Sequence, residues 1–166
     1  MPAPVQAIVH RDGRFALGGQ VFRAALGRGG VRTDKQEGDG ATPSGVLLLR
    51  RVLYRADRGP PPVCAVPIEP LAPDDGWCDD PAHADYNRMV HLPHDGRCEA
   101  LWRTDVLYDL IGVLGWNDAP MVRGMGSAIF LHIATPDYAP TDGCVALALG
   151  DLRRVMAAGL TELLVG

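Results

Sequence analysis

The stretch SAIFLHIATPDYAPTDGC, Ser127 to Cys144, decides how this sequence is read. Its first half is a strand. Successive side chains of an extended chain leave opposite faces. His132 therefore shares a face with Phe130 and Ala134, while Ile129, Leu131 and Ile133 take the other. An imidazole on a mostly apolar strand needs a partner. Cys144 follows, directly after Gly143. The segment between them, Ala134 to Gly143, holds two prolines and a glycine, so it can fold back and bring its ends together. Two readings stand: a satisfied structural His with a buried Cys, or a thiol nucleophile with its base. In the second, His132 takes the thiol proton, because the thiolate is the reactive form. Gly143 lets the backbone turn sharply, and the N–H groups near Cys144 can converge as an oxyanion hole.

The surrounding sequence reads as mainly β. It has 166 residues, 20 of them Gly and 14 Pro, a composition that favours strands joined by turns. VQAIVH (5–10) and RFAL (14–17) flank Asp12-Gly13, a hairpin dipeptide. QVFRAALG is a third strand, and the polar, Gly-rich segment up to Gly45 is a loop. Long strands are expected at 46–55, at 105–116 with both faces buried, and at 127–134. Arg50-Arg51 is expected to flank a strand. Asp151 is expected to cap a helix over 151–159 that buries Leu152, Val155 and Met156. TELLV closes the chain as a strand. The expected architecture is a β-sandwich or barrel in one domain, residues 1–166, with one main helix after Cys144. Residues 56–104 are turn-rich and polar, and their Trp77, Tyr86 and Trp102 imply a packed insertion along one side of the site.

Charge and composition exclude several classes. The net charge is −4 with no basic stripe, which argues against nucleic-acid binding. No run of about eighteen apolar residues is present to span a membrane. MPAPVQAIVHRDGRF lacks a basic region followed by an apolar core, so no secretion signal is read there. Cys64, Cys78, Cys98 and Cys144 contain no CxxC pair. The first three leave a disulfide or buried thiols open. His91 and His94, with Asp79, Asp80 and His83, lack a fixed metal-ligand spacing and read as loop histidines, so no metal is expected.

Taken together, His132, the loop, Thr141-Asp142-Gly143-Cys144, the upstream turn Thr42-Pro43-Ser44-Gly45 and a helix beginning at an Asp resemble the L,D-transpeptidase catalytic domain (YkuD) family. The resemblance covers roughly residues 5 to 160 and is weakest over 56–104. It implies a bacterial, cofactor-free cysteine acyltransferase acting on peptidoglycan stem peptides in cell-wall biogenesis. Cys144 would be the nucleophile and His132 the base, with Gly143 and Cys144 N–H groups as oxyanion donors. The carbonyl of Ile133 or Ala134 would orient the imidazole. The family's His before Gly-Cys is Asp142 here, and its Arg or Asn two residues after the Cys is Ala146. The His-to-Cys loop is also shorter than the common form. These departures bear on substrate contacts rather than on thiol chemistry.

Cross-links between two third-position residues (3-3) are the family's usual product. One branch of short, single-domain relatives is associated with links through the first residue of the acceptor stem (1-3). Both stay open. An L,D-carboxypeptidase or amide hydrolase of the same chemistry is the alternative, and an inactive cell-wall binding module the next. Candidate substrate contacts are Asp142, Thr141, Tyr138, Asn117, Arg103 and Trp77. Asn117 also suits a turn, Asp142 also suits orienting His132, and Trp77 and Trp102 also suit packing of the insertion. Arg88 and Arg123 are further carboxylate partners to consider. A monomer in the periplasm is expected, because the substrate is there.

Overall fold

The computed structural model describes residues 2–166. The elements are β1 (Gln6–Val9), β2 (Arg14–Leu17), β3 (Gln20–Ala25), β4 (Val31–Arg32), β5 (Thr42–Pro43), β6 (Gly45–Tyr54), β7 (Ile68–Pro70), β8 (Asp75–Cys78), β9 (Met89–His91), β10 (Cys98–Ala100), β11 (Leu110–Gly115), β12 (Phe130–Ile133), β13 (Val145–Leu147), α1 (Leu149–Ala157) and β14 (Glu162–Val165). The hairpin at Asp12-Gly13 forms as read: Gly13 has φ +91°, and the Asp12 carboxylate accepts the Arg14 N–H at 3.1 Å.

The main sheet runs β11-β12-β13-β3-β2-β1-β14-β6, and β11 also pairs with β6. The sheet therefore closes on itself as a barrel, with β7 added outside β6. Closure satisfies the edges that a row of short strands would otherwise expose. Among the described residues the fold is thus mainly β, with a single α-helix near the C-terminal end.

Alternation places two apolar clusters on opposite faces of β11 and β12. Leu110, Leu114, Ile129, Leu131 and Ile133 join the main core, with Leu47, Leu49, Val145 and Leu147. Ile111, Val113 and Phe130 join a second cluster, with Leu53, Trp77, Leu101, Tyr108 and Cys144. The second cluster lies between the barrel wall and the 56–104 segment. That segment is more regular than its composition suggests, since β8 pairs with β9 and β10 as a small antiparallel sheet.

Five expectations need correction. The strand read over 127–134 spans only Phe130–Ile133, because Ala128 turns the chain at a positive φ. Arg50-Arg51 does not flank a strand but sits inside β6, where the register against β11 shifts between Val113 and Leu114. The extra residue there flips the facing of the rest of the strand. Leu47 and Leu49 enter the main core before the bulge, whereas Val52 does so after it. Arg50 then pairs with Asp118 in the open, and Arg51 turns under the insertion, 6.0 Å from the Trp77 ring. The strand read over 105–116 spans only Leu110–Gly115, because Asp105 accepts the Leu107 N–H and bends the preceding residues into a turn. The helix starts at Leu149, with Ala148 at its cap and no side-chain cap. Asp151 instead sits in the first turn, where the helix dipole favours a carboxylate. Finally, the segment before Gly45 is not wholly loop, since β4 and β5 pair in parallel there.

Phe130 joins the barrel wall to the insertion. It is fully buried, with Trp77 edge-on at 5.1 Å and Tyr108 at 5.8 Å. Phe130→Ala is expected to cost about 3–5 kcal/mol through the cavity it leaves, measured as a fall in the denaturant midpoint at unchanged slope.

Candidate active site

β12 and β13 run parallel, with His132 opposite Ala146 and Leu131 opposite Val145. Cys144 lies two residues before Ala146, so the alternation of both strands sends its side chain to the face of His132 and Phe130. The Phe130 N–H points to Cys144 Sγ at 3.4 Å, and the thiol donates to the Ala128 carbonyl at 3.3 Å. Sγ is thus bonded to backbone on both sides and not to the imidazole. Both side chains are buried and line one cavity of about 750 Å³, a size that suits a peptide-like ligand.

The turn carrying Cys144 is held from three sides. Thr141 N–H donates to the Leu26 carbonyl at 2.9 Å, and Arg28 N–H returns a bond to the Thr141 carbonyl at 2.9 Å. The Thr141 hydroxyl donates to the Cys144 carbonyl at 2.7 Å and accepts the Gly143 N–H at 3.1 Å. Gly143 has φ +135°, and a Cβ there would meet the Ala41 carbonyl oxygen at 2.7 Å. Both conformation and space exclude a side chain. Opposite the turn, Ala128 also adopts a positive φ of +54°. Its N–H is held at 3.1 Å by Asn87 Oδ1, so the carbonyl that faces the thiol sits on strained backbone.

His132 Nδ1 lies 2.9 Å from the Ile133 carbonyl. That carbonyl can only accept, so Nδ1 carries the hydrogen and Nε2 keeps its lone pair. Nε2 has no partner among the described residues, and the side chain opens on the cavity. Burial pushes the imidazole below its ordinary pKa. Burial, reinforced by the charge of Glu99, pushes the Cys144 thiol up to about 12. The resting pair is therefore neutral thiol and neutral imidazole. Such a pair can still react, because the imidazole can take the thiol proton as Sγ attacks.

The expected substrate contacts separate into two groups. Asp142, Thr141 and Arg103 line the cavity with the nucleophile. Asp142 is ion-paired with Arg28 rather than with His132, so the Ile133 carbonyl orients the ring and Asp142 does not. Arg103 is held by Asp105 at 2.6 Å and lies over the Tyr108 ring at 5.2 Å. Tyr138, Asn117 and Trp77 stand outside the cavity lining. Tyr138 sits in the loop at φ +54° with Arg23 over its ring at 4.2 Å. Asn117 takes the turn role, bonding Val122 and Gly126. Trp77 packs behind the site and donates to Asn87 Oδ1 at 3.0 Å. Arg123 is engaged by the Pro81 and His83 carbonyls.

Sequence reasoning missed Glu37, Glu99 and Tyr108, all of which line the cavity. The Tyr108 hydroxyl donates to Glu99, and its ring packs edge-on against His132 at 5.3 Å. Nothing in the local pattern marks Glu99, which sits in a turn-rich segment.

The cysteines are all free, and Cys78 stands opposite Cys98 across the β8–β10 pair. Ligand atoms of Cys78, His94 and Cys98 fall within 4.8 Å of one another. The ring of His94 is already engaged there, with Nε2 on Asp85 at 2.9 Å and Nδ1 accepting the Gly96 N–H at 3.0 Å. His83 is tied to Asp95 at 2.8 Å, so these histidines belong to a hydrogen-bonded network within the insertion.

The mainly β fold agrees with the comparison with known families. A family model for the L,D-transpeptidase catalytic domain (YkuD) matches residues 6–158. The chain belongs to that family. Its members are in general cysteine-dependent transpeptidases, associated with the cell wall and acting on peptidoglycan stem peptides. A search of curated proteins returns no match. No helix among the described residues is long and apolar enough to cross a membrane.

The geometry of the turn and the burial of the thiol each set a measurable expectation. Gly143→Ala is expected to destabilise the protein by about 2 kcal/mol or more, seen as a lowered melting temperature. For the thiol, the sign is set by its raised pKa: it is protonated at neutral pH and ionises only as pH rises. Alkylation of Cys144 by iodoacetamide, followed on its own peptide by mass spectrometry, is expected to keep rising about tenfold per pH unit beyond pH ~9. An ordinary thiol levels off near pH ~8.5.

Proposed function

We propose that this chain is a peptidoglycan L,D-transpeptidase that works through a thioester on Cys144. The observation that carries the reading is the placement of Cys144 and His132 on one face of paired parallel strands, in one cavity, with Nε2 of the imidazole free. Cys144 Sγ attacks the carbonyl of the L-centre of the third residue of a tetrapeptide stem. His132 Nε2 takes the thiol proton in the same step, which spares the buried site a standing thiolate. It then returns that proton to the amine of the departing terminal D-Ala. An amine of a second stem attacks the thioester, the C–N bond forms, and the C–S bond breaks. The product is a 3-3 or 1-3 cross-link according to which stem residue supplies the amine.

The oxyanion formed in each half-reaction needs N–H donors beside Cys144. In the resting state the Gly143 N–H is held by Thr141 Oγ1. That group therefore serves the oxyanion only by exchanging one acceptor for another, and Thr141 acts as the latch. No cofactor enters this chemistry. The substrate places the reaction on the outer side of the cytoplasmic membrane, in the periplasm.

The test is mass spectrometry of purified muropeptides incubated with wild type and with Cys144→Ala. Cross-linked dimers from wild type alone are the expected result, and their fragmentation names the acceptor position. Loss of D-Ala without dimers would turn the reading to an L,D-carboxypeptidase. No reaction with any stem, together with a Cys144 left unlabelled even at alkaline pH, would leave a binding module.

A further inference from the structure

The arginines around the cavity are all paired, whereas two carboxyl groups that line it, Glu37 and Glu99, make no ion pair among the described residues. Three arginines line it, and each has an acidic partner: Arg28 with Asp142, Arg97 with Asp79 at 3.2 Å, and Arg103 with Asp105. Glu37 lines it too, and accepts hydroxyl donors from Tyr86 and Ser127, each at 2.6 Å. Glu99 differs. Where Glu37 has two hydroxyl donors, the Glu99 carboxyl is held by the Tyr108 hydroxyl alone. That leaves acceptor capacity on a carboxyl group facing the cavity.

Its position is costly for the first half-reaction. Glu99 adds to the rise in the Cys144 thiol pKa, and its own pKa is raised by burial. An anion beside a sulfur that gains negative charge as its proton leaves opposes acylation. A site built only to acylate gains nothing from a carboxylate there. A site that must next receive a cation does, because an arriving ammonium finds an unpaired carboxylate in a partly dry cavity and satisfies both.

Deepening the transpeptidase reading, on which this rests, we propose that Glu99 forms the acceptor subsite and binds the primary ammonium of the incoming stem. The ammonium donates to the Glu99 carboxylate, which takes one proton and leaves a neutral amine near the thioester. The amine nitrogen attacks the thioester carbonyl, forming C–N and breaking C–S. The second nitrogen proton passes through His132 Nε2 to the departing Cys144 sulfur, and Glu99 releases the first to water. The Tyr108 hydroxyl keeps the carboxyl turned toward the cavity throughout.

Glu99→Gln keeps the shape and a hydrogen-bond partner for Tyr108 but removes the charge. Two readouts separate the half-reactions: the intact-mass adduct of a donor tetrapeptide stem on Cys144, and transfer of that acyl group to an amine. Glu99→Gln is expected to form the adduct at least as fast as wild type, because the opposing charge is gone, which also shows that it is folded. Transfer to a stem bearing a primary ammonium is expected to fall about tenfold or more, the loss of a charge-assisted hydrogen bond. Transfer to hydroxylamine, uncharged at neutral pH, is expected to match wild type, and Glu99→Asp is expected to recover part of the stem transfer. Equal stem transfer by Glu99→Gln and wild type would overturn the subsite, as would parallel losses with stem and hydroxylamine. A wild type that forms no adduct with any stem would overturn the transpeptidase reading itself, and the subsite with it.

Discussion

The parallel pairing of β12 with β13 is the constraint on which the site depends. A parallel pair cannot be joined by a tight turn and needs a crossover of about a dozen residues. The chain from Ala134 to Cys144 supplies it. Once the strands lie side by side with Leu131 opposite Val145, the facing of every residue on them is fixed. His132 and Cys144 then share a face, and Leu131, Ile133, Val145 and Leu147 are committed to the main core. A slip of one residue would bury the imidazole among those aliphatics and point the thiol away from it. The apolar core thus sets the register, and the register sets the chemistry.

The bonds around the Cys144 turn make that register rigid at its functional end. Thr141 is bonded through its backbone to Leu26 and Arg28, and through its hydroxyl to Gly143 and Cys144. The turn is therefore an extension of the barrel rather than a free loop. The cost appears as a positive φ at Ala128, across the thiol from Gly143, whose own positive φ is open to glycine. Strain of this kind persists only where surrounding structure over-determines the backbone, and here hydrogen bonds on both sides do so.

Burial gives the site its electrostatic character. Neither member of the pair is charged at rest, since desolvation raises the thiol and lowers the imidazole. The Ile133 carbonyl takes the place that a carboxylate holds in other His-dependent sites. It fixes the tautomer without adding a charge to a partly dry cavity. The insertion completes this environment. Its small sheet seats Trp77 against Phe130 and brings Glu99 to the cavity wall, where Tyr108 from the barrel side holds it.

Much of this was legible in the sequence, because its signals are local. Alternation in SAIFLHI gave the facing of His132. Asp12-Gly13 gave the first hairpin, and the Thr-Pro turn with Gly-Cys gave the family. The spacing of Leu152, Val155 and Met156 gave the buried helix face. Other features were illegible because their causes lie far away in the chain. The bulge at Arg50 arises from pairing with β11, on the far side of the insertion. Asn117 and Trp77 stand outside the cavity lining because their partners, Gly126 and Asn87, are set by the packing of loops. Glu99 and Tyr108 became neighbours of Cys144 only when the insertion folded against the barrel. The sequence by itself determined the strand facing, the turn geometry and the placing of His132 and Cys144 on neighbouring segments, which short-range sterics and periodicity dictate. Tertiary structure alone decided which charges around the thiol are neutralised by an ion pair and which are not, because ion pairing and desolvation depend on distances between segments that no local pattern encodes.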